Sequence, residues 1–228
     1  QHLWGNNRAI LAGDILFARA SLLVASLGPE IVAHHARTFE RLCEGQLNET
    51  FGPTSGTDRV DFYLQVLADK TGSLVSTAAS FGALLSGAGQ LVADVVSEFG
   101  EKVGVAFQIA DDVLDLASSG EQSGKTPGTD LREGVDTLPV LLLRRREAVG
   151  MIDEAGAQIL RDLTGDLSSD EALASVVERL RAHDVLEETR ELARTWARDA
   201  VAALSALPKG EPKTALEAFA NLMVDRLV

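Results

Sequence analysis

Phe107-Gln108-Ile109-Ala110-Asp111-Asp112-Val113-Leu114-Asp115 sets three carboxylates at i, i+1 and i+4 within an otherwise apolar run. On an α-helix, positions four apart stack on one face and i+1 lies about 100° round, so Asp111 and Asp115 share a face with Asp112 beside them. Like charges at this spacing repel, and burial disfavours their ionisation, so the cluster asks for a cation. Mg²⁺ takes oxygen ligands and commonly binds one or two carboxylates, several waters and substrate phosphate oxygens. The stretch therefore reads as a helix carrying a Mg²⁺ site at Asp111, Asp112 and Asp115. The alternative is a solvated acidic patch near a helix end.

Directly downstream, residues 118–137 form a Gly/Ser-rich stretch that contains Lys125. It has no apolar period and is rich in helix breakers, which predicts a mobile surface loop. A loop lysine beside a metal-binding helix is suited to close over a phosphate as a point charge, although most loop lysines are simply solvated.

The motif FQIADDVLD, followed by GKTPGTDLREG (124–134) and TLP (137–139), resembles the second aspartate-rich region of trans-isoprenyl diphosphate synthases, the polyprenyl synthetase family. WGNNRAILAGDILFARA (4–20), CEGQ (43–46) and ADKTGSL (68–74) are similar to further blocks of that family, in the expected order, and the likeness extends to the terminal Met223-Val224-Asp225-Arg226. The resemblance implies an all-α, single-domain bundle of antiparallel helices around a central cavity, over residues 1–228. It implies a prenyltransferase that elongates an allylic diphosphate with isopentenyl diphosphate, uses Mg²⁺ and works as a homodimer. Lys70 and Thr71 would contact the allylic diphosphate, Phe107 and Gln108 would stand at the reaction centre, and Lys125 would reach the phosphates. Val135 stands where many members carry a second lysine, so no phosphate role passes to it.

The family's first DDxxD motif, its arginine pair and its basic residues for isopentenyl diphosphate all lie upstream of the block that here begins at Trp4. The chain, starting at Gln1, is thus expected to be N-terminally incomplete and to hold about half of a catalytic site. Two other readings stand beside the elongating transferase: a non-catalytic or regulatory subunit of a hetero-oligomeric prenyl diphosphate synthase, and a class I terpene cyclase. The absent first motif favours the subunit, and the intact second motif opposes it. The GKTPGTDL and TLP blocks favour a synthase over a cyclase.

Composition agrees with a helical domain. The 228 residues are 46% hydrophobic but only 5% aromatic, with abundant Ala and Leu, which favours helix over strand and suffices for one core. The lone Cys43 excludes an intramolecular disulfide framework and fits a reducing cytoplasm. No apolar run of about 18 residues is present, so no transmembrane segment is expected. A net charge of −13 argues against nucleic acid, and makes local positive charge necessary for any diphosphate partner.

Apolar spacing predicts helices over 4–27, 30–48, 58–70, 71–88, 90–117, from 138, to about 181, over 184–206 and over 213–227, with Asp58 and Ser168–Asp170 as caps. Small residues crowd 71–88, which reads as a central helix closely approached by its neighbours, with 71–96 as the candidate dimer interface. His34 and His35 lack a third ligand at metal spacing and read as ordinary surface residues.

Overall fold

The computed structural model describes residues 3–117 and 127–226, and every regular element among them is helical. Helices α1 (Asn6–Ala25) and α2 (Pro29–Phe51) form a hairpin. Next, α3 (Arg59–Leu67) passes through a π turn (Ala68–Gly72) directly into α4 (Ser73–Leu85). The long α5 (Gln90–Ala117) carries the acidic motif. Beyond residue 126 come a short α6 (Thr129–Arg132), α7 (Leu138–Ala148), α8 (Glu154–Leu163), α9 (Asp170–Ala182), α10 (Asp184–Ala203), a 3₁₀ turn (Leu204–Ala206) and α11 (Glu211–Asp225).

The all-α bundle expected from the sequence is what forms, but its axis is a different helix. Helix α4 buries only Ser73, Ser76, Ser80 and Ala83, whereas thirteen of the 28 residues of α5 are buried. The small residues of α4 serve contact rather than bulk: Ser76 Oγ and Ser97 Oγ lie 2.7 Å apart across the α4–α5 seam. Helix α5 runs between α4 and α10 and links two cores. Around its C-terminal half, Ile109, Val113 and Leu116 pack with Leu138, Leu142, Leu143, Leu173 and Leu180. Around its N-terminal half, Phe99 and Val103 pack with Leu204 and Ala220. Each large apolar side chain so buried is worth about 1.5–3 kcal/mol of transfer free energy, which fixes α5 and the motif it carries.

Local chemistry starts the helices where the sequence places caps. Asp58 Oδ1 accepts the N–H groups of Val60 and Asp61 at 2.8 and 3.0 Å, and Ser169 Oγ accepts that of Ala172 at 3.1 Å. Asp153 does the same for α8, accepting the Gly156 N–H at 2.8 Å. At the other end of α5, Arg181 donates to the Leu116 carbonyl. Helix α1 buries none of its residues, and Ile10, Leu11, Ile15, Leu16, Leu22 and Leu23 stand exposed. Exposed apolar surface is thus concentrated on α1 more than on 71–96, where Leu74, Leu85 and Leu91 contribute. His34 and His35 are half-buried rather than surface residues: His35 stacks on Phe17 at 5.7 Å, and His34 meets the edge of Phe81 at 5.1 Å. No helix among the described residues is long and apolar enough to cross a membrane.

Candidate active site

Two elements present the chemistry. Helix α5 carries Phe107, Gln108, Asp111, Asp112 and Asp115, and the π turn between α3 and α4 carries Lys70 and Thr71. They meet where Thr71 Oγ1 donates to Gln108 Oε1 at 3.1 Å. A π turn inserts one residue into a helix and is frequent at functional positions. Here the carbonyl of Asp69 is satisfied by Ser73 Oγ at 2.6 Å.

The three aspartates have three different surroundings. Asp111 stands at the surface, its side chain 41% exposed, and Oδ1 accepts from Arg226 Nη2 at 2.8 Å. The same guanidinium lies 4.5 Å over the Phe107 ring and donates to the Phe107 carbonyl at 3.4 Å. A cation is therefore already held against that aromatic face. Asp112 points the other way. It is 4% exposed, and its Oδ2 accepts both the Tyr63 hydroxyl at 2.8 Å and the Leu138 N–H at 3.1 Å. Burial pushes the Asp112 carboxyl up to about 7, against the two hydrogen bonds that favour its charged form. Burial, and then the Asp112 charge, likewise raise Tyr63, keeping its phenol a donor.

Asp115 lies between these extremes. Burial raises its pKa, the charge of Asp130 adds to this, and hydrogen bonds from the backbone of Asp130, Thr129 and Gly128 oppose it. Its backbone carbonyl also accepts the Gly128 N–H at 3.1 Å, so Asp115 anchors the start of α6.

The expected metal trio is therefore not assembled as one ligand set. Among the described residues no group of three or more His, Cys, Asp or Glu is arranged to hold a metal ion. Asp112 departs from the expectation because i+1 on a helix buried over half its circumference faces the core, where its carboxylate ties α5 to α3 and α7. Asp111 and Asp115, one turn apart, still offer the one or two carboxylates that Mg²⁺ ordinarily takes alongside phosphate oxygens.

At the π turn, Lys70 Nζ pairs with Glu49 near the end of α2, and Gln46 Nε2 donates to the same Glu49 oxygen at 2.9 Å. A cavity of about 290 Å³ touches both halves, since Glu49, Tyr63, Phe62, Val66, Val135 and Leu141 all line it. Lys125 lies outside the described residues. Tyr63, Glu49 and Arg226 were not singled out by sequence reasoning. Tyr63 is the chain's only tyrosine, and Arg226 lies in the Met-Val-Asp-Arg block, but neither position announces its partner.

A sequence profile of the polyprenyl synthetase family matches residues 1–180. The chain belongs to that family. It is 41% identical over 223 residues to a nonaprenyl diphosphate synthase of Mycobacterium tuberculosis, covering 98% of this chain and 65% of that protein. It is 31% identical over 224 residues to the octaprenyl diphosphate synthase of Escherichia coli, covering 98% of this chain and 68% of that one. Among solved structures it is similar to a geranylgeranyl pyrophosphate synthase of Corynebacterium glutamicum complexed with calcium and isoprenyl diphosphate. There the TM-score is 0.85 and the identity 41%, over 98% of this chain and 68% of that one. The chain thus spans about two thirds of the length of these polyprenyl synthetase relatives.

Proposed function

We propose that the polypeptide to which this chain belongs is a trans-prenyltransferase that joins an allylic diphosphate to isopentenyl diphosphate. The observation that carries this reading is the meeting of two charge types at α5. Asp111, with Asp115 one turn on, lies on the same helix as Gln108, which accepts from Thr71 of the π turn that bears Lys70. Such an arrangement suits a metal-bound diphosphate, and the family relatives are named for the corresponding condensations.

Asp111 and Asp115 would hold the ion, and Asp112 would fix the helix that presents them. Mg²⁺, when bound, supplies positive charge that stabilises a departing diphosphate. The allylic C–O bond breaks with its electron pair passing to the diphosphate, where Lys70 counters the growing negative charge. Lys70 is free for this once its pair with Glu49 opens, an exchange between two anionic partners. The Phe107 ring, which now faces the Arg226 guanidinium, would face the allylic cation in turn. Electrons of the isopentenyl double bond form the new C–C bond, and the adjacent carbon gives up a proton to the released diphosphate, its C–H electron pair forming the new double bond. No nucleophilic side chain is required.

The reading includes a homodimer, supported by the apolar surface of α1, and action in the cytoplasm, which accords with the single, unpaired Cys43. Incorporation of radiolabelled isopentenyl diphosphate into butanol-extractable product by the complete polypeptide tests it. No incorporation with any C5–C20 allylic primer at millimolar Mg²⁺ would sink the proposal. Sedimentation as a monomer at micromolar concentration would remove the dimer.

A further inference from the structure

The π turn that carries Lys70 and Thr71 is gripped from both sides. Toward α2, a Cβ added to Gly45 would lie 2.8 Å from Asp69 Cβ and 3.0 Å from Lys70 Cγ. Toward α5, a Cβ on Gly104 would lie 2.6 Å from Gly72 Cα. Only glycine permits either approach, so the turn sits directly against the backbones of α2 and α5.

One side chain spans the gap between those helices. Arg41 of α2 donates Nε to Asp69 Oδ1 at 2.6 Å, and its Nη1 and Nη2 to the two carboxylate oxygens of Glu101 on α5 at 2.7 and 3.1 Å. Asp69 is only 8% exposed, and its Oδ1 also accepts from Gln65 Nε2 at 2.9 Å. The guanidinium thus uses three donors on two carboxylates from two elements, a geometry that the planar fork allows and a lysine cannot copy. Asp69 immediately precedes Lys70. Any slip of the π turn back to regular helix would remove one residue from the phase and swing Lys70 and Thr71 by about 100° about the axis.

We propose that Arg41 is a positioning residue: by bridging Asp69 and Glu101 it holds the π turn in register and so sets where Lys70 and Thr71 stand relative to Asp111 on α5. This rests on the reading above that Lys70 and Thr71 meet the allylic diphosphate. Arg41 itself need touch no substrate. Its effect passes through the turn, and misplacement of a binding group by about 1 Å is enough to cost on the order of 10²-fold in rate.

The test uses the complete polypeptide with Arg41→Met, Arg41→Lys, Lys70→Ala and the Arg41→Met/Lys70→Ala double variant. Two measurements are made: steady-state kinetics with each diphosphate, and hydrogen exchange at the backbone amides of 69–73. Arg41→Met should lower kcat/KM for the allylic diphosphate by about 10- to 100-fold and leave KM for isopentenyl diphosphate within about twofold. Exchange at 69–73 should speed up while the amides of 105–116 keep their protection. Arg41→Lys should recover part of the loss, and the double variant should lose less than the two single losses combined, because Arg41 acts in part through Lys70. Additive losses, equal losses for both substrates, or unchanged exchange at 69–73 would each overturn the proposal. If the unaltered polypeptide condenses nothing, the functional reading fails. Exchange then decides the clamp by itself, with unchanged protection in Arg41→Met overturning it and lost protection sustaining it.

Discussion

At the aspartate end of the site, α5 is held by a buried carboxyl that accepts from a phenol and a backbone amide, with Asp112 4% exposed. At the lysine end, the π turn is held by ions: Arg41 bridges Asp69 and Glu101, and Lys70 rests on Glu49, with side chains of Arg41, Lys70, Glu49 and Glu101 all 30–40% exposed. The two anchorages should answer differently to the same perturbation. A buried polar anchor lies in a low local dielectric, ignores salt, and leaves unsatisfied donors when removed. Partly exposed ion pairs are screened, worth little singly, and able to exchange partners. On the proposed function, the exchangeable anchor stands where a ligand's phosphates would compete, and the permanent anchor stands behind the helix proposed to face the metal.

The sharpest way to break the comparison is to mutate the adjacent aspartates. In the complete polypeptide, Asp111→Ala should cut turnover by 10²–10³-fold or more, as removal of a charge-stabilising group does, with the melting temperature unchanged within about 2 °C. Asp112→Ala should do its damage to the fold instead. It strands the Tyr63 hydroxyl and the Leu138 N–H in the core, at about 1–3 kcal/mol each, and urea denaturation should report a loss of about 2–5 kcal/mol. Equal stability losses in the two variants would mean that Asp112 does not face inward.

The raised pKa of Asp112 sharpens the same contrast. Its folded value of about 7 lies above the ordinary aspartate value of 3.8, so the native state binds the proton more tightly than the unfolded chain does. The resulting stabilisation is fully present below about pH 4 and is lost as pH rises through about 7. In chelator-treated protein, Asp112→Asn should flatten the decline of stability between pH 5 and 7, by at most about 1.4 kcal/mol per pH unit. An unaltered slope would show that the carboxyl is charged throughout.

The smallest effect belongs to Arg226. Its pair with Asp111 is partly exposed, the side chains standing 32% and 41% accessible. Such pairs contribute about 0.2–1 kcal/mol, so Arg226→Ala should tighten Mn²⁺ binding, measured by electron paramagnetic resonance, by no more than about fivefold. Weaker Mn²⁺ binding would mean that Arg226 supports the site rather than competing for Asp111.

Much of this was legible in the chain. The apolar period gave the helices, Asp58 and Ser169 gave two starts, and the FQIADDVLD block gave the family. Helix α8 was missed, although Asp153 as cap and Ile159, Leu160 and Leu163 at helical spacing could have marked it. The π turn left no trace because Ala-Asp-Lys-Thr-Gly looks like an ordinary helix junction, and its cause is tertiary, in Gly45, Gly104 and Arg41. The inward turn of Asp112 was hidden for the same reason. Periodicity tells which residues share a face, whereas which face meets the core depends on helices distant in sequence. Arg226 reaches Asp111 across 115 positions, a distance that no spacing rule spans.

Helix α1 has one more consequence, for how the molecule comes apart. A helix that buries none of its own residues and docks chiefly on α2 contributes little to the cooperative core around α5. In a chain separated from its proposed dimer partner it should therefore open as a separate unit, at a free energy well below that of global unfolding. In a partly digested sample the first cut would fall between Asn6 and Ala25, and the fragment left behind would keep α5, Asp112 and the core around the C-terminal half of α5 intact.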